Sequence, residues 1–131
     1  MQLKEGCEIR FSPNGPDIIE FLVVTQDNSG NRTVKIAKVD LVNSVGIWYH
    51  VVGTYNKTTG EQKLYIDGKW YDTVIHPAGN TIVPLTSYPK MKIGYSPVNS
   101  GYFNGIIDEV RIYNRELNLQ EVQNIYPWYD G

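Results

Sequence analysis

The sequence predicts an all-β, antiparallel β-sandwich with one short C-terminal helix, and three observations predict it. The apolar payload is aromatic and β-branched, with 10 Tyr, 3 Trp and 3 Phe against 2 Met, which suits a pleated surface better than a helix. Short apolar or alternating runs recur along the chain, each bounded by Gly, Pro, Asn or Asp, as strands are. Pairs suited to tight hairpins separate those runs, above all Asp67-Gly68, which favours a two-residue type I′ turn. At 131 residues the chain accommodates one core and not two, so 1–131 reads as a single domain.

Glu8 to Phe11 and Ile18 to Thr25 are the first two strands, divided by Ser-Pro-Asn-Gly-Pro, whose prolines and glycine forbid a continuous ladder. After the Asp27-Asn-Ser-Gly-Asn31 loop, Arg32 to Val39 alternates, as expected of a strand with one wet side. Gly46 to Tyr55 reads as a long strand, and Asn56 to Gly60 as a hairpin loop. Gln62 to Ile66 and Lys69 to Ile75 flank the Asp-Gly turn. The proline-bearing stretch from His76 to Pro89 reads as loop with an edge segment at Thr81 to Val83, followed by strands at Lys90 to Ser96 and Tyr102 to Tyr113. A helix is expected over Leu119 to Tyr126: Asn118 is an N-cap, Glu121 completes a capping box, Leu117 and Val122 form a hydrophobic staple, and Pro127 stops it.

The net charge is −2, with 12 Lys and Arg scattered among 14 Asp and Glu. No basic stripe is available for a phosphate backbone and no polybasic cluster for anionic lipid, so neither nucleic acid nor membrane is an expected partner. No apolar run approaches the ~20 residues of a membrane span, and Met1 to Gly6 lacks the apolar stretch of a signal peptide. The one cysteine, Cys7, makes no internal disulfide and reads as an inert structural thiol.

The stretch Ile47-Trp-Tyr-His-Val-Val-Gly-Thr-Tyr55, then Lys63-Leu-Tyr-Ile-Asp-Gly68, then Lys92-Ile-Gly-Tyr95, then Tyr102-Phe-Asn-Gly-Ile-Ile-Asp-Glu-Val-Arg-Ile-Tyr-Asn114 and Leu117 to Tyr126 resembles the laminin-G-like family. The four motifs occur in that family's order and spacing, over roughly residues 46 to 126. The resemblance implies a concanavalin-A-like jelly roll and a lectin-like binding module, extracellular if the chain is a fragment of a secreted protein. Family members usually begin with further strands, one of which pairs with the Ile-Asp-Glu-Val-Arg-Ile-Tyr strand. The resemblance therefore implies that this chain corresponds to the C-terminal two-thirds of such a domain. An unpaired last ladder would follow, with homo-oligomerisation through the exposed sheet edge, or a strand rearrangement, to close it.

Alternation places Asp108 in phase with Ile106, Val110 and Ile112, on the face of its strand that points to the core. The resemblance offers Asp108 as one ligand of a calcium ion. Calcium takes six to eight oxygens, so a structural carboxylate accepting backbone N–H or Arg bonds is the simpler reading, and no cofactor is required. Glu109, Arg111 and Tyr113 form the opposite, solvated row. His50 and His76 lack a Ser or Cys nucleophile in a recognisable motif and read as satisfied structural histidines. Asp108 and Glu109, being adjacent, point to opposite faces, which does not provide the paired carboxylates of glycan cleavage. The remaining lead is aromatic, because sugars stack on exposed rings. Trp70, Tyr71, Tyr88, Asn99 and Tyr102 are the candidate ligand-binding residues, and carbohydrate the candidate ligand; Tyr102 and Phe103 flank the Pro97 to Gly101 loop and would form one groove wall with Asn99 and Tyr95, although core filling is the simpler reading for Tyr95 and Phe103. The alternatives are a structural or self-assembly domain and, less favoured, a glycan-cleaving enzyme.

Overall fold

The computed structural model describes residues 5–86, 91–96 and 101–126. Strands β1 (Cys7–Phe11), β2 (Ile18–Gln26) and β3 (Arg32–Asp40) form an antiparallel sheet in that order, and β7 (Thr81–Ile82) pairs with the end of β2. Strands β4 (Val51–Tyr55), β5 (Glu61–Ile66) and β6 (Lys69–Ile75) form a second antiparallel sheet. Strands β8 (Tyr95–Ser96) and β9 (Gly101–Tyr102) make a short ribbon, and α1 (Leu119–Ile125) follows.

The core forms where the two sheets face each other. Ile19, Phe21 and Val23 of β2 and Ala37 of β3 pack on Leu64 and Ile66 of β5, the period-two face of each strand. Gly53 of β4 admits the Phe21 ring, for a Cβ there would lie 2.7 Å from it. Strand β2 is buried on both faces, because Leu22 and Val24 pack against Val83, Val34 and Ile36 on the other side. On the outer face of the second sheet, Tyr65 packs with Leu117 and Val122. The staple expected at α1 is thus closed, and its capping box is formed, with Asn118 Oδ1 accepting from the Glu121 amide and Glu121 Oε1 from the Asn118 amide. Arg115 grips the Glu121 carboxylate, and that hydrogen bond first of all lowers its pKa to about 2.

A buried polar chain crosses between the sheets. Gln62 Nε2 donates to the carbonyls of Phe21 (2.8 Å) and Lys35 (3.3 Å), which turns Gln62 Oε1 toward His76 Nε2 at 2.6 Å. His76 Nε2 must therefore carry the proton, leaving Nδ1 to accept from the Thr25 hydroxyl at 2.7 Å. Thr25 Oγ1 in turn accepts from Asn80 Nδ2, and the Asn80 carbonyl from the Tyr55 hydroxyl. His76 reads as loop in the sequence, yet it is 1% exposed and sits at the centre of this chain.

Three expected strands are shorter than their patterns. Gly46 to Tyr55 yields only Val51–Tyr55, because its partner β5 ends at Ile66 opposite Val51 and the backbone of Asp67 turns back onto His50. Lys90 to Ser96 yields only Tyr95–Ser96 within the described residues, beside a two-residue partner. Tyr102 to Tyr113 is strand only at Gly101–Tyr102; beyond it the segment makes no ladder among the described residues, and Glu109 adopts a left-handed φ of 54°. Alternation favours a strand, but a ladder needs a partner. The Asp-Gly turn is as expected: Asp67 and Gly68 have φ of 52° and 76°, both positive as type I′ requires.

Candidate functional site

Strand β6 carries two adjacent exposed aromatic residues, Trp70 and Tyr71. The pairing of β5 with β6 shifts between Leu64 and Tyr65, so that Leu64 faces Asp72, Tyr65 faces Trp70, and Tyr71 is the extra residue of a bulge. The bulge brings Trp70 and Thr73, three residues apart, onto one face, where Trp70 Nε1 donates to Thr73 Oγ1 at 2.7 Å. The indole is pinned by its edge while 60% of the residue stays exposed, and Tyr71 beside it is 50% exposed. Asp72 points the other way and accepts from the Lys38 amide at 2.9 Å, capping the free edge of β3 and tying the two sheets at their margin.

Tyr102, 83% exposed, lies on the β8–β9 ribbon, where its ring meets Tyr95 at 4.9 Å. Phe103 turns to stack on Phe11 at 5.9 Å. The rings singled out in the sequence therefore fall into two patches, Trp70 with Tyr71 and Tyr95 with Tyr102, and among the described residues no ring contact joins them. Tyr88 and Asn99 lie outside the described residues.

Asp108 does not occupy a core face. It is exposed, as are Ile106, Val110 and Ile112, because the segment joins no sheet among the described residues, and its Oδ1 accepts from the adjacent Glu109 amide at 2.9 Å. Among the described residues no group of three or more His, Cys, Asp or Glu side chains converges to hold a metal. One exposed carboxylate already capping a backbone N–H does not fit calcium, which demands six to eight oxygens. Millimolar calcium is expected to leave the melting temperature unchanged in a thermal scan with and without chelator; a calcium-dependent rise would place a site elsewhere in the chain.

His50, Glu109, Arg111 and Ile125 line a small, shallow pocket. Arg111 Nη2 pairs with Glu109 at 3.2 Å. The His50 amide donates to Asp67 Oδ1, and its ring lies against Tyr126 at 5.4 Å. Its Nδ1 is buried and meets no hydrogen-bond partner among the described residues, so the expectation of a satisfied His50 is corrected. Desolvation lowers the His50 pKa, the Arg111 charge adds to the fall, and Asp67 opposes it. Sequence spacing gives no sign of this pocket, because residues 50 and 109 meet only in the folded chain. The Cys7 thiol is pushed up by desolvation and then by the Glu8 charge, which favours its unreactive form.

The model of the concanavalin A-like lectin/glucanases superfamily matches residues 3–123, so the likeness extends through the first 45 residues as well as the later motifs. Among characterised proteins, the chain is 29% identical over 102 residues to the sushi, von Willebrand factor type A, EGF and pentraxin domain-containing protein 1 of Rattus norvegicus. It is 31% identical over 100 residues to the Mus musculus protein of the same name. These matches take in 72% and 71% of this chain but 3% of each relative. An S-layer domain-containing protein from Clostridium thermocellum (residues 221–444) shares the fold at a TM-score of 0.51 and 22% identity, over 96% of this chain and 66% of that one. Domains of this kind are usually non-catalytic binding modules, and some bind calcium. The two facing sheets, the ordered motifs and the match over nearly the whole chain together establish that this chain belongs to the concanavalin A-like lectin/glucanases superfamily.

Proposed function

We propose that this protein is a non-catalytic carbohydrate-binding module whose principal platform is Trp70 with Tyr71 on β6. The observation that carries this reading is the pinned indole: its N–H is already used by Thr73, so the ring is held in place with most of the residue open to solvent. A rigid, exposed aromatic face costs little entropy on binding and presents the apolar surface on which a pyranose ring stacks. The alternative of glycan cleavage lacks support, since the adjacent acids Asp108 and Glu109 are engaged with a backbone amide and with Arg111 respectively.

The test is titration of soluble β-1,3- and β-1,4-glucan oligosaccharides, followed by tryptophan fluorescence and calorimetry. Trp70→Ala is expected to weaken binding about tenfold, equivalent to ~1.4 kcal/mol, with stability nearly unchanged because the side chain is exposed. Tyr102→Ala is expected to have the smaller effect. Absence of binding by the unaltered protein across a broad glycan array would overturn the reading.

A further inference from the structure

Residues 106–114 carry a strand's sequence without a strand's partner. Ile106 is 75% exposed and Ile112 71%, and Ile107, Val110 and Tyr113 are exposed too, so both faces of an apolar segment are open to water. Among the described residues, the backbone bond made by this part of the chain before α1 is from Phe103 N to Gly94 O. The segment runs beside β4, the edge of its sheet: Glu109 and Arg111 flank His50 just before β4, and Glu116 accepts from Asn56 just after it. On the opposite sheet, Ile9 of β1 is exposed although it shares a face with the core residue Phe21. Unpaired apolar edges of this kind are sites of strand addition.

The charges select the occupant. Glu109 and Arg111 alternate on one face and now pair with each other across two residues, both largely exposed. We propose that residues 106–114 pair antiparallel, about a two-fold axis at Val110, with the same segment of a second copy of this chain. In that register each Glu109 lies opposite the partner's Arg111, so two cross-strand ion pairs form, flanked by Ile107 opposite the partner's Tyr113 at each end. Centring the pairing on Glu109 would set Glu against Glu, and centring it on Arg111 would set Arg against Arg, so like charges oppose both slips. Pairing also returns Glu109 from its left-handed φ of 54° to the β region, where its side chain is unstrained.

The experiment is size-exclusion chromatography with light scattering on the full chain, with far-UV circular dichroism to confirm the fold of each variant. A dimer is expected. Val110→Lys, which sets two like charges at the axis, and Glu109→Arg, which sets Arg against Arg twice, are each expected to raise the dimer Kd about tenfold or more. Combining Glu109→Arg with Arg111→Glu restores opposite charges and is expected to restore the dimer. A wild-type monomer at every concentration overturns the proposal, as does a dimer indifferent to Val110→Lys or a double exchange that fails to rescue.

Discussion

Replacing His76 with Ala should cost about 3–4 kcal/mol in urea unfolding, the largest effect expected of any single side chain here. Truncation leaves a void at a site that is 1% exposed and strands Gln62 Oε1 and the Thr25 hydroxyl, which His76 satisfies at 2.6 and 2.7 Å. Unpaired polar groups cost more in a dry core than the bonds they made were worth. His76→Phe fills the volume but strands the same two groups, so most of the loss should persist.

The same residue sets a pH dependence whose sign follows from its environment. Desolvation first, and then the Lys35 charge, lower the His76 pKa to about 4, against an ordinary value near 6.5. Between those values the unfolded chain binds a proton that the folded chain refuses, so stability rises with pH across the window. The contribution is complete above about pH 6.5 and is lost as pH falls toward 4, by roughly 3 kcal/mol in all. His50, the second of the 2 histidines, is also lowered and acts in the same direction. Urea midpoints measured from pH 4.5 to 7 should fall with acidity, and His76→Gln should flatten most of that slope; an unchanged slope would show that His76 does not titrate as stated.

Gly60→Ala should be the second large effect, about 2–4 kcal/mol, from two independent causes. Gly60 has φ of 78°, and a Cβ there would lie 2.1 Å from the His76 carbonyl oxygen. The first cause is backbone strain that an L side chain meets in the left-handed region. The second is a clash with backbone, which cannot rotate aside, and any shift would pull on the bond from His76 N to Gly60 O at 2.9 Å. Because Gly60 and His76 are joined in this way, the two substitutions should be less than additive, a coupling a double-mutant cycle would read. Gly30→Ala is the control: its φ is 84° but nothing lies within 4 Å of a Cβ, so strain alone remains and the loss should be nearer 1 kcal/mol.

Most strands were legible because each carries its own period and turn chemistry. Lys69–Ile75 begins and ends where its apolar pattern and the Asp67-Gly68 pair place it, and α1 starts at its capping box. The family motifs were legible for the same reason, being local strings. The candidate aromatic residues were readable as residue types, but their grouping was not: the bulge that sets Trp70 beside Thr73 comes from the pairing of β5 with β6.

Which segments turn, which alternate and where the helix is capped follow from neighbours a few residues away. Whether an alternating segment becomes a strand depends on long-range pairing. Ile106 to Tyr113 alternates as well as β3 does, yet it lies exposed without a ladder, because backbone pairing needs a second strand at hydrogen-bonding distance and no local pattern can supply one. His76 was settled in the same way. Proline-rich sequence around it suggests loop, whereas its burial follows from Thr25 and Gln62 meeting it from other strands, where each buried polar group requires a partner.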